Sequence, residues 1–243
     1  MVRGCIKINN LLHSFTSWEP RVLNSYRRTL VKICCIERLE EAWLAISHGA
    51  SALGLVSEMP SGPGIIPEEL IREIATKIPP YITSVLLTSR QDAVEIIEQH
   101  RRCKTNAIQL VDSLESGSYE ELRKAMPGIG LIQVVHVTGE KSIQEAKKVA
   151  RFVDAVHLDS GNQYAVVEEL GGTGRIHDWS LSKKIRNSIN KPLILAGGLS
   201  HENVAEAIKQ VEPFAVDVCS GVRTDGRLDE AKLSAFMAEV SNL

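Results

Sequence analysis

From residue 31 onward two hydrophobic textures alternate along the chain. Short apolar or β-branched runs at 31–36, 52–56, 81–87, 107–111, 130–137, 155–158, 192–195 and 214–218 have the length and composition of buried strands. Between and after them, 37–48, 67–78, 91–101, 118–125, 142–152, 178–189, 201–209 and 229–241 carry apolar residues at helical spacing with polar residues between. The helix starts are marked locally. Pro67-Glu68-Glu69 puts a proline and two acids in a first turn, and Asp178 and Ser200 stand where N-caps belong. Eight strands each followed by a helix predict parallel strands joined by crossovers, an α/β protein closing into a (β/α)8 TIM barrel. Residues 1–30 do not fit the repeat. They read as an N-terminal extension laid as a helix across the barrel bottom, with the barrel domain over 31–243.

Composition narrows the picture. A chain of 243 residues with 44% hydrophobic content suits one barrel. A formal net charge of −2 argues against nucleic acid as the partner. No apolar run is long enough to span a membrane, and the opening residues lack the apolar core of a signal peptide. Five cysteines without a pairing pattern point to a reduced, cytoplasmic setting, and no Cys/His spacing suggests a metal.

The candidate chemistry sits where a barrel would place it, at the carboxyl ends of the strands. Gly171-Gly172-Thr173-Gly174, Ala196-Gly197-Gly198-Leu199 and Cys219-Ser220-Gly221-Val222 follow the last three strand-like runs. Glycine lets backbone N–H groups approach an anion without a side chain in the way. Three such turns on adjacent strands predict one phosphate site made by Gly172, Thr173, Gly174, Gly197, Gly198, Ser220 and Gly221. The same rule selects Cys34 and Cys35 after the first strand, Asp112 after the fourth, His136 on the fifth and Asp159 after the sixth. Strand parity puts Lys32 on the face of Cys34, and Asp217 on the face of Cys219. In a closed barrel the first and eighth strands are neighbours, so Asp217 is the expected partner of a buried Lys32. His157 reads as a barrel-core histidine. His177 and His201 read as exposed, Trp179 as packed on the outer wall, and Arg223 and Arg227 as solvated.

Taken together, the motifs resemble the phosphoribosylanthranilate isomerase family over residues 31–236. Val31-Lys32-Ile33-Cys34 is similar to its opening Lys-Ile-Cys-Gly, and 49–54 to its "GADALGF" strand. His157-Leu158-Asp159 corresponds to Leu-Leu-Asp, and 171–174 with Asp178-Trp179 to "GGTG…DW". Residues 195–204 correspond to "LAGGL…ENV", and 216–222 to "VDVSSGVE". The resemblance implies a cofactor-free Amadori rearrangement of a small phosphorylated aminosugar, with Cys34 as base and Asp159 as acid. It implies a monomer or a homodimer. One acid and one base suffice for that chemistry, but Cys34 then needs help to be a thiolate at neutral pH.

The resemblance breaks at the end of the site that would hold the aglycone. Pro63 stands where the family carries an arginine for the anthranilate carboxylate, within a loop at 59–67 that has no cationic side chain. Gln109-Leu110-Val111-Asp112 replaces Gln-Leu-His-Gly, His136 replaces an arginine, and Cys35 replaces a glycine. The expected substrate is still N-(5-phosphoribosyl)anthranilate, in tryptophan biosynthesis, because nothing in the sequence names a different one. The alternatives are another N-substituted aminosugar phosphate, or a non-catalytic phosphosugar-binding barrel, which the presence of both Cys34 and Asp159 disfavours.

Overall fold

The structure is a computed structural model that describes residues 28–60, 62–160 and 177–243. Eight parallel strands close into a barrel in sequence order: β1 (Leu30–Ile33), β2 (Ala52–Val56), β3 (Thr83–Thr88), β4 (Ala107–Leu110), β5 (Gly130–His136), β6 (Ala155–Asp159), β7 (Leu193–Leu195) and β8 (Ala215–Val218). The helices that alternate with them are α1 (Leu39–Ser47), α2 (Glu68–Lys77), α3 (Ala93–Cys103), α4 (Tyr119–Ala125), α5 (Lys141–Val149), α6 (Trp179–Ser188), α7 (Val204–Val211) and α8 (Glu230–Ser241). The barrel is closed by β1 against β8, in a register that sets Lys32 opposite Asp217.

Two apolar layers account for the alternation seen in the sequence. One face of the strands, including Ile33, Leu53, Leu86, Ile108 and Val216, packs against the helices. The other face, including Val85, Leu87, Ile132, Val134 and Ile194, fills the barrel interior. Each strand is apolar on both faces, which is why the runs look continuous and not alternating. Polar residues break the inner layer at Lys32, Gln109, His157 and Asp217, all buried. Polar groups in an otherwise apolar barrel floor mark one end of the barrel as different from the rest.

Most helix ends follow their local chemistry. Asp92, Asp178 and Asp229 each accept backbone N–H bonds at their helix starts, and Ser118 with Glu121 forms a capping box on α4. Pro67 is the N-cap of α2, not its first helical residue. Ser200 does not cap α7. Its hydroxyl accepts from Glu202 N in a preceding turn, the helix begins at Val204, and Asn203 holds the turn through Gly198 O and Ser200 N. After β8 a short 3₁₀ turn, Ser220–Val222, leads into a hairpin of β9 (Arg223–Thr224) and β10 (Arg227–Leu228). Its two-residue loop, Asp225-Gly226, has φ of 49° and 77°, the left-handed pair that tight hairpins require. The expected extension lies outside the described residues up to position 27, as does the glycine turn at 171–174. Among the described residues no helix is long and apolar enough to cross a membrane.

Candidate active site

At the carboxyl end of the barrel the loops surround a cleft of about 660 Å³, open to solvent. Cys34 and Asp159 both line it, with Gln109, His157 and Asp217 on its floor. Gly197, Gly198 and Ser220 form one edge, while Met59, Gly62 and Pro63 form another. The acid, the thiol and two of the three glycine turns are therefore brought to one site. Asp112 and His136 are not among the lining residues. Asp112 turns its Oδ1 to the Ser113 N–H at 2.7 Å, and His136 Nε2 lies 3.3 Å from Val111 O.

Cys34 is set into a buried ionic chain. Lys32 Nζ lies 3.4 Å from Cys34 Sγ and donates to Asp217 Oδ2 at 2.6 Å, as the strand parity predicts. The imidazole of His157 meets the same carboxylate oxygen at 2.8 Å. Lys32 stays charged despite burial because Asp217 and Cys34 face it, which raises its pKa. Asp217 is held below the usual carboxylate range: Lys32 and His157 outweigh the opposing effect of burial. The Cys34 thiol is pulled down, first by a hydrogen bond from Cys35 and then, against burial, by the Lys32 charge. Gly54 on β2 makes the room, since a Cβ there would come within 2.7 Å of the Cys34 sulfur and 3.1 Å of Lys32 Nζ.

His157 is more than a core residue. A carboxylate only accepts, so Nε2 carries the proton and, in the neutral ring, Nδ1 is a lone-pair acceptor. Among the described residues that Nδ1 is buried without a partner, as are Gln109 Oε1 and Asp217 Oδ1 on the same cleft floor. Buried polar atoms are seldom left unpaired, so these atoms are open to hydrogen bonds from a ligand or water in the cleft. Asp159, opposite on β6, accepts from the Ser160 N–H at 2.6 Å.

Glycine brings the later loops together. Gly197 and Gly198 have φ of 89° and 64°. A Cβ at Gly197 would meet Ser160 after β6 at 3.1 Å, and one at Gly221 would collide with the Leu199 carbonyl after β7. The loops after β6, β7 and β8 thus approach through positions where no side chain fits.

Three expectations are corrected. Arg223 is buried, not solvated. Its guanidinium pairs with Glu41 of α1 at 3.1 Å, and donates to the carbonyls of Cys34, Cys35 and Gly226. It fastens the loop after β8 beneath the loop after β1, and only the Glu41 partner, 182 positions away, reveals that role. His177 is partly buried, not exposed, with Nε2 2.7 Å from Ser182 Oγ, and burial lowers its pKa to about 4. His157 joins the cleft floor. His201 and Arg227 are exposed and Trp179 packs on the outer layer, as expected. Among the described residues no cluster of His, Cys, Asp and Glu is placed to hold a metal.

Residues 31–239 match the model of the family described as N-(5'phosphoribosyl)anthranilate (PRA) isomerase. N-(5'-phosphoribosyl)anthranilate isomerase 2 of Methanosarcina mazei is 38% identical over 214 residues, 87% of this chain and 94% of that protein. The Methanocella arvoryzae isomerase is 35% identical, covering 84% and 94% of the two chains. Among solved structures, the phosphoribosyl anthranilate isomerase of Thermotoga maritima superposes with a TM-score of 0.74 at 33% identity, covering 88% of this chain and all of that one. A phosphoribosyl anthranilate isomerase in complex with reduced 1-(o-carboxyphenylamino)-1-deoxyribulose 5-phosphate gives 0.72 at 31% identity, with 88% of this chain and 100% of that chain covered. A buried lysine-assisted thiol facing a carboxyl across a glycine-edged cleft is thus found in a chain that belongs to the phosphoribosylanthranilate isomerase family.

Proposed function

We propose that this protein isomerises N-(5'-phosphoribosyl)anthranilate to 1-(o-carboxyphenylamino)-1-deoxyribulose 5-phosphate, with Asp159 as acid and Cys34 as base. The observation that carries the reading is the Lys32-assisted Cys34 thiol in one cleft with Asp159. In the first step the Asp159 carboxyl gives its proton to the ring oxygen as the C1–O bond breaks and the nitrogen lone pair forms an iminium. The Cys34 thiolate then removes the proton from C2, and that electron pair neutralises the iminium. The resulting enolamine tautomerises to the ketone. Lys32 supports the thiolate in this scheme and Asp217 keeps Lys32 in place. His157 Nδ1 and Gln109 Oε1 accept hydroxyl protons of the opened sugar. The backbone of Gly197, Gly198, Ser220 and Gly221, with Gly172, Thr173 and Gly174 beyond the described residues, holds the phosphate.

The barrel domain runs over 31–243, a monomer or a homodimer serves this reaction equally, and a cytoplasmic setting suits it. A second reading is favoured by one observation: among the described residues no lysine or arginine lines the cleft, and Pro63 lies there instead. On that reading the aglycone is not a carboxylate. The test is turnover of phosphoribosylanthranilate by the wild-type protein, with Cys34→Ala as control. Turnover abolished by the substitution supports the first reading. No wild-type turnover, with activity on an uncharged N-aryl phosphoribosylamine, establishes the second.

A further inference from the structure

Cys34 does not stand alone at the mouth of the barrel. Cys35, the next residue, and Cys219, just past β8, put their sulfurs 2.6 Å apart. That is inside the contact distance of two unbonded sulfurs and about half an ångström longer than an S–S bond of about 2.0 Å. All three cysteines line the cleft, Cys35 buried and Cys219 partly exposed. The backbone is bent to make the contact. Cys35 has φ of 61°, a left-handed conformation that a residue with a Cβ seldom adopts. Gly64 of the opposing loop lies so close that a Cβ there would collide with Cys35. The Arg223 guanidinium, donating to the Cys34 and Cys35 carbonyls, holds this turn against the loop that carries Cys219. Cys35 serves the isomerisation through Cys34, but that reaction gives no reason for a strained, doubly fastened turn to end in a contact with Cys219.

We propose that Cys35 and Cys219 are an oxidation site: hydrogen peroxide entering the cleft converts them to a disulfide, reversibly weakening the thiolate at Cys34. The Cys219 sulfur attacks one peroxide oxygen, the O–O bond breaks, and water leaves with the thiol proton, giving a sulfenic acid. The Cys35 sulfur then attacks the Cys219 sulfur. The S–S bond forms, the S–O bond breaks, and a second water leaves with the Cys35 proton. Two thiols and one hydrogen peroxide become one disulfide and two waters. Cys219 is the first to react because it is the more exposed, while the Cys35 thiol is kept protonated by its two sulfur neighbours and by burial. The consequence for the site follows from the contact between Cys35 and Cys34. The Cys35 S–H donates to the Cys34 sulfur, and it is the foremost cause of that thiol's lowered pKa. A disulfide has no proton to donate, so the Cys34 thiolate keeps only the support of Lys32, while Cys34 itself stays unoxidised. A pKa rise of one unit cuts the thiolate fraction about tenfold.

The effect on turnover rests on the function proposed above, but the covalent step does not, so the two are measured separately. The fully reduced protein is treated with a small excess of hydrogen peroxide, remaining thiols are alkylated, and the linked peptides are identified by fragmentation mass spectrometry. Loss of two hydrogens, a link between 35 and 219, and an alkylated Cys34 are expected. In parallel, kcat/KM on phosphoribosylanthranilate falls about tenfold or more and returns with dithiothreitol. Cys219→Ser and Cys35→Gly, each compared with its own untreated form, lose this reversible response. A link between 34 and 35, sulfinic acid in place of a disulfide, or a Cys219→Ser variant as sensitive as wild type overturns the proposal. If the protein does not turn over the substrate yet forms the 35–219 link, the functional reading fails and the oxidation site stands.

Discussion

Among single residues, Lys32 brings a positive charge to Cys34, beside the hydrogen bond from Cys35. A free thiol titrates near 8.5, and Cys34 is brought down partly by the Lys32 charge. Lys32→Met is expected to raise the pH at which Cys34 alkylates with iodoacetamide. It also leaves Asp217 a buried charge with only His157 beside it, an arrangement that typically destabilises by about 3–5 kcal/mol. An unchanged alkylation profile would show that Cys35 alone sets the thiol. Cys34→Ala and Asp159→Asn are each expected to lower kcat/KM by about 10²–10⁴-fold while the protein stays folded by circular dichroism. At Pro63 the direction reverses. A charge-assisted hydrogen bond is worth about 1.5–3 kcal/mol, so Pro63→Arg should lower KM for phosphoribosylanthranilate by about 10–150-fold if the carboxylate lacks a partner. No change in KM would mean that another group already binds it.

At the level of elements, the joint between the loops after β1 and β8 is the part most exposed to damage. The Arg223 guanidinium bridges Glu41 on α1 to the carbonyls of the Cys34 turn, all buried. Removing one partner of a buried pair strands the other, so Arg223→Met should destabilise by about 3–5 kcal/mol and shift the urea midpoint. The double variant Arg223→Met with Glu41→Leu is expected to recover part of that loss, because the uncompensated charge is gone. Were the double variant no better than the single one, the carbonyl contacts and not the ion pair would hold the joint.

Across the whole molecule, pH acts through groups buried in one protonation state. His177 titrates near 4 in the folded protein against about 6.5 unfolded, so between those values the unfolded chain binds more protons. Its contribution to stability is therefore lost as pH falls from about 6.5 to about 4. Asp217 and Glu41, both held low, lose theirs on further acidification through the carboxylate range. Thermal melts across this window should show a decline that begins near 6.5 in the wild type and is shallower in His177→Gln. Equal slopes in the two proteins would mean that His177 is not the group responsible.

The alternation of apolar runs and amphipathic stretches determined the barrel, because each parallel strand must be apolar on both faces and each helix on one. Strand parity determined that Lys32 and Cys34 share a face, and closure of the barrel made Asp217 the expected partner, since β1 and β8 must be neighbours in a closed sheet. Boundaries were less legible. The start of α7 moved from 201 to Val204 because Asn203, not Ser200, binds the turn. Contacts between residues far apart in sequence were invisible. Nothing near Arg223 announces Glu41, and nothing near His157 says whether its second nitrogen has a partner. The Cys35–Cys219 contact is of the same kind, for no local pattern specifies it. It exists because barrel closure, a left-handed residue and a buried guanidinium bring two loops, 184 positions apart, to within 2.6 Å.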